Sequence, residues 1–234
     1  MSGKMNLREV TPTDLLGPLN AVEKKFAPEL LFVAGDSDFL QEGARVSIVG
    51  SRKASPAGLK RARKLAGLLA QKGVVVVSGL AEGIDAEAHL ACIEKGGRTV
   101  AVIGTSLDHA YPKENASLQK KIMEEHLCVS QFPSGTPTQR RNFPMRNRTM
   151  ALLSDASVII EAGETSGSLS QGWEALRLGR ALFITKAVVD DTSLKWPAEM
   201  ISYGARILSD QALDEFFEAL PERSKAMAFD ELPF

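Results

Sequence analysis

Short apolar, largely β-branched runs recur along the chain, each bounded by Gly or Ser and each followed by a helical pattern. This alternation narrows the possible folds more than any other feature. The runs are Val46-Val49, Val74-Val77, Thr99-Ile103, Val158-Ile160 and Ala181-Ile184, with Leu127-Val129 as a weaker sixth. Continuous apolar runs of this length fit strands buried on both faces, as in a parallel sheet covered by helices. Between the first two runs, Leu59, Ala62, Leu65, Ala66 and Leu69 form an apolar stripe at helical spacing that stops at Gly73. Further helices are predicted over roughly Ile84-Glu94, Ser117-Glu125, Met145-Leu153, Leu169-Leu178 and Ala212-Ala219. The expected fold class is therefore α/β, a doubly wound, mostly parallel Rossmann-like sheet with helices on both faces.

With 234 residues the chain accommodates one such domain and short extensions. Residues 43–209 are expected to form it. Residues 1–42, with Pro12, Pro18, Pro28 and one short helix near Asp14-Lys25, read as an N-terminal appendage, and residues 210–234 as an acidic helix and tail. No apolar stretch approaches the roughly eighteen residues needed to span a bilayer, and Met1 to Val10 lacks a signal-peptide apolar region, so a cytoplasmic protein is expected. Cys92 and Cys128 stand in apolar surroundings without metal or disulfide spacing and read as buried hydrophobes.

The net charge of -1 conceals segregation along the chain. Eight Lys or Arg and no acid lie from Gly43 through Ala81, and four Arg and no acid lie between His126 and Ser154. The compensating acids cluster after Asp210. In an open α/β sheet, ligands bind beyond the carboxyl ends of the strands where strand order reverses, so the loops after the runs are the candidate sites.

Three such loops share one chemistry. The first holds Gly50, Ser51 and Arg52, a sharp turn with hydroxyls and a bidentate cation. The second holds Ser78, Gly79 and Gly83, and the third Ser166, Gly167 and Ser168 at the start of a predicted helix. Neither GxGxxG nor GxxxxGK[ST] occurs, which excludes a standard dinucleotide site or a P-loop. Read singly, each loop is ordinary turn chemistry; together they form an anion site.

The segment from Arg140 through Arg141, Phe143, Arg146, Asn147 and Arg148 adds the cations. Pro144 suits the first turn of a helix, which puts Arg146 and Arg148 near its positive end, a conflict that a bound anion relieves. Phe143 either presents a π-face to a base, as in single-strand binders, or packs as a staple on the core. Lys60, Arg61, Arg63 and Lys64 lie on polar faces of an amphipathic helix and read as solvated. No HExxH, zinc-like spacing or GxSxG occurs, and Asp85, Asp108 and Glu161 read as turn caps, so no enzyme activity, metal or cofactor is expected.

The order of motifs resembles the DprA/Smf DNA-processing family: VSIVGSR at Val46-Arg52, SGLAEGID at Ser78-Asp85, GTSLDHAYPKEN at Gly104-Asn115, SGTP at Ser134-Pro137, FPMRNR at Phe143-Arg148, and Glu161 with SGSL at Ser166-Leu169. The resemblance covers about Pro28 to Ser209. It implies binding of single-stranded DNA, a role in recombination or transformation, loading of a RecA-type recombinase, and a homodimer. It places Arg52, the basic residues before Phe143, and Phe143 in the DNA pocket. The helical N-terminal domain is expected here as a fragment and no winged-helix domain is expected after it, so the chain is expected as a core-only member. The alternative is a LOG-like nucleotide-binding sensor or phosphoribohydrolase, whose pattern Met145-Arg148 and Ala162-Gln171 resemble. That group's acid/base glutamate is Gln171 here.

Overall fold

In the computed structural model, which describes residues 7–41 and 43–222, the apolar runs are adjacent strands of one nine-stranded sheet. In chain order the strands are β1 (Leu7–Val10), β2 (Leu31–Gly35), β3 (Arg45–Gly50), β4 (Val75–Ser78), β5 (Thr99–Ile103), β6 (Leu127–Ser130), β7 (Ala156–Glu161), β8 (Ala181–Thr185) and β9 (Arg206–Leu208). Their spatial order is β1-β2-β6-β5-β4-β3-β7-β8-β9. From β6 to β9 every pairing is parallel, whereas β2 is antiparallel to both β1 and β6. The chain winds outward from β3 through β4, β5 and β6, then returns to the other side of β3 with β7. The β3/β7 boundary is thus the point where strand order reverses.

Ten helices complete the fold among the described residues. They are α1 (Pro12–Leu16), α2 (Ala21–Phe26), α3 (Pro56–Gln71), α4 (Ile84–Glu94), α5 (Ala116–Glu125), α6 (Asn142–Leu152), α7 (Ser168–Arg177), α8 (Lys186–Val189), α9 (Trp196–Ser202) and α10 (Leu213–Glu218). Period-two alternation divides the strands between two cores. Val46 and Ile48 of β3 face Ala62, Leu65 and Leu69 of α3 and Ile84 and Ala88 of α4. Val49 on the opposite side joins Met150 of α6 and Met200 of α9. All six residues of β3 are buried, which accounts for its lack of polar alternation.

Local signals set the helix starts around the later site. Ser55 caps α3, its Oγ accepting from the Gly58 amide at 3.0 Å, and Pro56 occupies the first turn. Arg45 and Asp155 tie the beginning of β3 to the turn before β7 through a buried ion pair at 2.8 Å.

The segment before residue 43 departs from the expected appendage. β2 pairs with β6 across four residues, so this segment extends the same sheet. The single helix expected near Asp14-Lys25 is two short ones, α1 and α2, each closed by its own capping box. Pro18 explains the break, since a proline disfavours helical backbone in the residue before it. At the other end, α10 buries Phe216 against Phe183 of β8, with ring centroids 4.9 Å apart. The acidic residues beyond Glu222 lie outside the described residues. No helix among the described residues is long and apolar enough to cross a membrane.

Candidate nucleic-acid interface

A crevice of about 450 Å³ opens at the carboxyl ends of β3, β4 and β7, on the strand-order reversal. Its walls come from the turn after β3 (Gly50 to Lys53), the first turn of α4 (Asp85), one face of α6 (Phe143, Arg146, Asn147) and the loop after β7 (Gly163 to Ser168). A smaller recess beside it is bounded by Arg52, Gly79, Gly104, Tyr111 and Phe143. Residues separated by over a hundred positions in sequence thus share one opening.

At its mouth the exposed Arg52 guanidinium lies 5.3 Å from the centroid of the Phe143 ring, within cation–π range. Phe143 is half-buried and is held on its remaining sides. Tyr111 packs at 5.5 Å between centroids, and Gly104 approaches so closely that a Cβ there would stand 2.9 Å from the ring. Phe143 accordingly sits at the rim of the crevice, packed but still reachable. Tyr111 was not among the expected site residues, yet it lines the recess. Its signal was a ring in the loop after β5, at the same strand edge.

The remaining expected site residues divide by what their polar groups do. Ser78 is buried, and its hydroxyl donates to the Ile48 carbonyl at 2.6 Å, which fastens β4 to β3 and leaves no group for a ligand. Ser168 Oγ donates to Gly50 O at 2.8 Å, holding the β3 and β7 loops together, and Asn147 Nδ2 donates to Gly167 O at 3.1 Å, tying α6 to the β7 loop. Ser166 Oγ accepts from the Ser168 amide at 3.3 Å. The first-turn amides of Leu169 and Ser170 are likewise taken by Ser166 and Gly167 carbonyls. The hydroxyl-rich loop is thus largely self-satisfied. Gly83, at φ +74°, precedes α4 and packs against the backbone carbonyls of Ser51 and Arg52.

The arginines separate still more sharply. Arg146 is buried, its Nη1 donating to the carbonyls of Gly79 and Val102, the latter at 2.8 Å, and its Nε to Asn147 Oδ1 at 3.0 Å. Its Nη1 and Nε donors are thus taken up within the protein, while the residue also lines the crevice. Arg148 points away from the crevice, pairs with Glu174 at 3.4 Å and lies 5.7 Å over the Phe26 ring. Arg140 and Arg141 are exposed in the turn preceding α6 and do not line the cavity. Arg52 and Lys53 supply its exposed positive charge, beside the buried Arg146 that also lines it.

One acid stands within. Asp85 is buried, and its Oδ2 accepts from the amides of Gly79 at 3.1 Å and Ala81 at 3.5 Å. Burial pushes its carboxyl up; Arg146, the two amides and Arg52 pull it back down. Arg146 in turn is lowered by burial, with Asp85 opposing that and Arg52 adding to it. Glu161 at the end of β7 accepts from the Ser55 amide at 2.8 Å and is a turn anchor. Gln171 is buried with its Nε2 3.2 Å from the hydroxyls of both Ser47 and Ser157. Among the described residues no group of three or more His, Cys, Asp or Glu is arranged to hold a metal ion.

These features define a doubly wound α/β protein whose ligand crevice at the strand-order reversal carries an arginine stacked on an aromatic ring. The family model described as DNA recombination-mediator protein A matches residues 10–221. DNA processing protein DprA of Bacillus subtilis is 36% identical over 197 residues, covering 84% of this chain and 66% of its own length. The crystal structure of DprA from Streptococcus pneumoniae superposes with a TM-score of 0.78 at 36% identity, covering 90% of this chain and 74% of that one. DNA processing protein A from Helicobacter pylori, described for its single-stranded DNA binding mode, gives 0.77 at 24% identity over 94% of this chain and 100% of that one. The chain belongs to the DprA/Smf DNA-processing family, and it spans about two thirds of the B. subtilis protein.

Proposed function

We propose that the crevice binds single-stranded DNA, with Arg52 and Lys53 neutralising phosphates, Phe143 stacking a base, and the Gly50-Ser51 turn bringing backbone close to the strand. Arg140 and Arg141 extend the positive field along the path toward α6. The stacked Arg52–Phe143 pair at the crevice mouth carries this reading. It joins a cation to a half-buried aromatic ring at the crevice rim, the pairing of charge and ring by which sequence-tolerant binders hold unpaired strands. The H. pylori relative, described for its single-stranded DNA binding mode, supports the same ligand. A nucleotide-hydrolase reading is less well supported, because Gln171 presents an amide bound to Ser47 and Ser157 where a carboxylate would be needed. A cytoplasmic role in recombination or transformation, homodimerisation and loading of a RecA-type recombinase belong to the proposal through the family.

Fluorescence anisotropy with labelled single-stranded and duplex oligonucleotides at about 50 and about 200 mM salt tests it. Tighter single-strand binding that falls steeply with salt is expected; absent or salt-independent binding overturns it. Release of free base from nucleoside monophosphates would favour the hydrolase instead.

A further inference from the structure

Gly79 is gripped from two sides by opposite charges. Its amide donates to Asp85 Oδ2 at 3.1 Å, while its carbonyl accepts from Arg146 Nη1. The same carboxylate takes the Ala81 amide, and the same guanidinium nitrogen reaches Val102 O on β5. Between the two held residues stands Leu80, fully buried at φ +57°, the one non-glycine with positive φ among the described residues. Left-handed backbone at a leucine costs on the order of 1–2 kcal/mol, so this turn persists because its surroundings hold it. Nor is there room for a side chain at Gly79, where a Cβ would overlap the Arg146 guanidinium.

The clamped turn supports the crevice mouth directly. The Ile84 amide that follows it donates to Ser51 O at 3.3 Å, and a Cβ on Gly83 would press within 2.7 Å of Arg52 O. Arg146 also lies three residues after Phe143 on α6, hence on the same helix face. Asp85 and Arg146 thereby connect to both members of the stacked pair.

We propose that Asp85 and Arg146 are positioning residues of the crevice: together they lock the Gly79–Ala81 turn and so fix the places of Arg52 and Phe143. The inference rests on the reading of the crevice as a single-strand site. It makes a prediction opposite in sign to simple electrostatics. Removing a negative charge beside a polyanion site should tighten binding if charge alone matters, whereas losing the clamp should weaken it.

The experiment compares the parent chain, Asp85→Asn and Arg52→Ala in single-stranded DNA titrations across a salt series, with thermal melts alongside. Asp85→Asn is expected to weaken binding by about tenfold or more while keeping the parent's slope of log affinity against log salt. Arg52→Ala should lower the slope by about one. Hydrogen exchange supplies a readout independent of DNA: the Gly79 and Ala81 amides should lose protection in Asp85→Asn. Should that variant fail to fold, Arg146→Lys, which keeps the charge but not the fork, must show the same weakening at unchanged slope. Equal or tighter binding by a folded Asp85→Asn, or unchanged protection at Gly79 and Ala81, overturns the inference alone. A parent chain that does not bind single strands overturns the functional reading and this inference together.

Discussion

The Arg52 guanidinium rests over the Phe143 ring at 5.3 Å, although the two residues come from the turn after β3 and the start of α6. If Arg52 takes a phosphate as proposed, the ring beneath it limits the conformations the side chain would lose on binding. Neither residue belongs to the two sheet cores. Their loss should therefore register in ligand affinity and hardly at all in folding.

Arg52→Ala separates these two effects. Single-stranded DNA affinity is expected to fall by about tenfold, with a smaller salt dependence, because one phosphate contact is removed. Since Arg52 is exposed, the thermal midpoint should stay within about 2 °C of the parent value. Anisotropy titrations and a melting curve on one preparation check both statements.

Phe143→Ala should weaken binding by about 1–3 kcal/mol, the usual worth of one base–aromatic stack, and leave the salt dependence unchanged because no charge is lost. Phe143→Trp should retain most of the affinity, provided Tyr111 and Gly104 yield space. If both variants bind like the parent chain, Phe143 is only a packing residue.

Much of the fold could be read from residue pattern because β3 to β6 and most of β7 and β8 are buried on both faces and so appear as unbroken apolar runs. β1 is an exposed edge strand and β9 has only three residues, so neither carries that signature. β2 carries an apolar run, but its place beside β6 depends on a pairing across nearly a hundred residues. At the candidate site, the turn after β3 pointed to Arg52 and the arginine-rich segment to Phe143, and both line the crevice, while residue type alone did not separate the arginines of α6. Helical geometry does separate them. Arg146, three residues from Phe143, turns inward beside it, whereas Arg148, five residues on, is rotated about 140° from it and meets Glu174. What Arg146 binds was not legible locally, because its acceptors, Gly79 and Val102, belong to the ends of β4 and β5.

Asp155→Ala tests the fastening of the central strand. Asp155 accepts from the Arg45 amide at 2.9 Å and from its Nε and Nη2 at 3.1 and 2.8 Å, with both side chains buried. Removing the carboxylate strands a buried guanidinium, a change that ordinarily costs about 3–5 kcal/mol. Urea unfolding should show a midpoint shifted down by a corresponding amount. A loss below about 1 kcal/mol would mean that water or a carbonyl rescues Arg45.

His89 gives the fold a pH dependence of known sign. It is fully buried on α4 with Nδ1 2.7 Å from Thr99 Oγ1, and burial is the main cause of its fall from 6.5 to about 3, with His126 and Arg146 adding to it. The folded chain therefore keeps the ring neutral where the unfolded chain takes up a proton. Stability from this group is fully present above the unfolded value of 6.5 and is lost as pH falls toward about 3. The slope between those limits is at most about 1.4 kcal/mol per pH unit for one proton. Buried Asp85 works in the opposite direction, since its raised carboxyl favours the fold as pH falls. The informative measurement is thus the difference between the parent chain and His89→Gln, which keeps a hydrogen-bonding group near Thr99 without titrating. Chemical denaturation at intervals between about pH 7 and about pH 5 should show a shallower loss of stability in the variant. Parallel curves would place His89 in contact with solvent and remove it from the acid sensitivity of the fold.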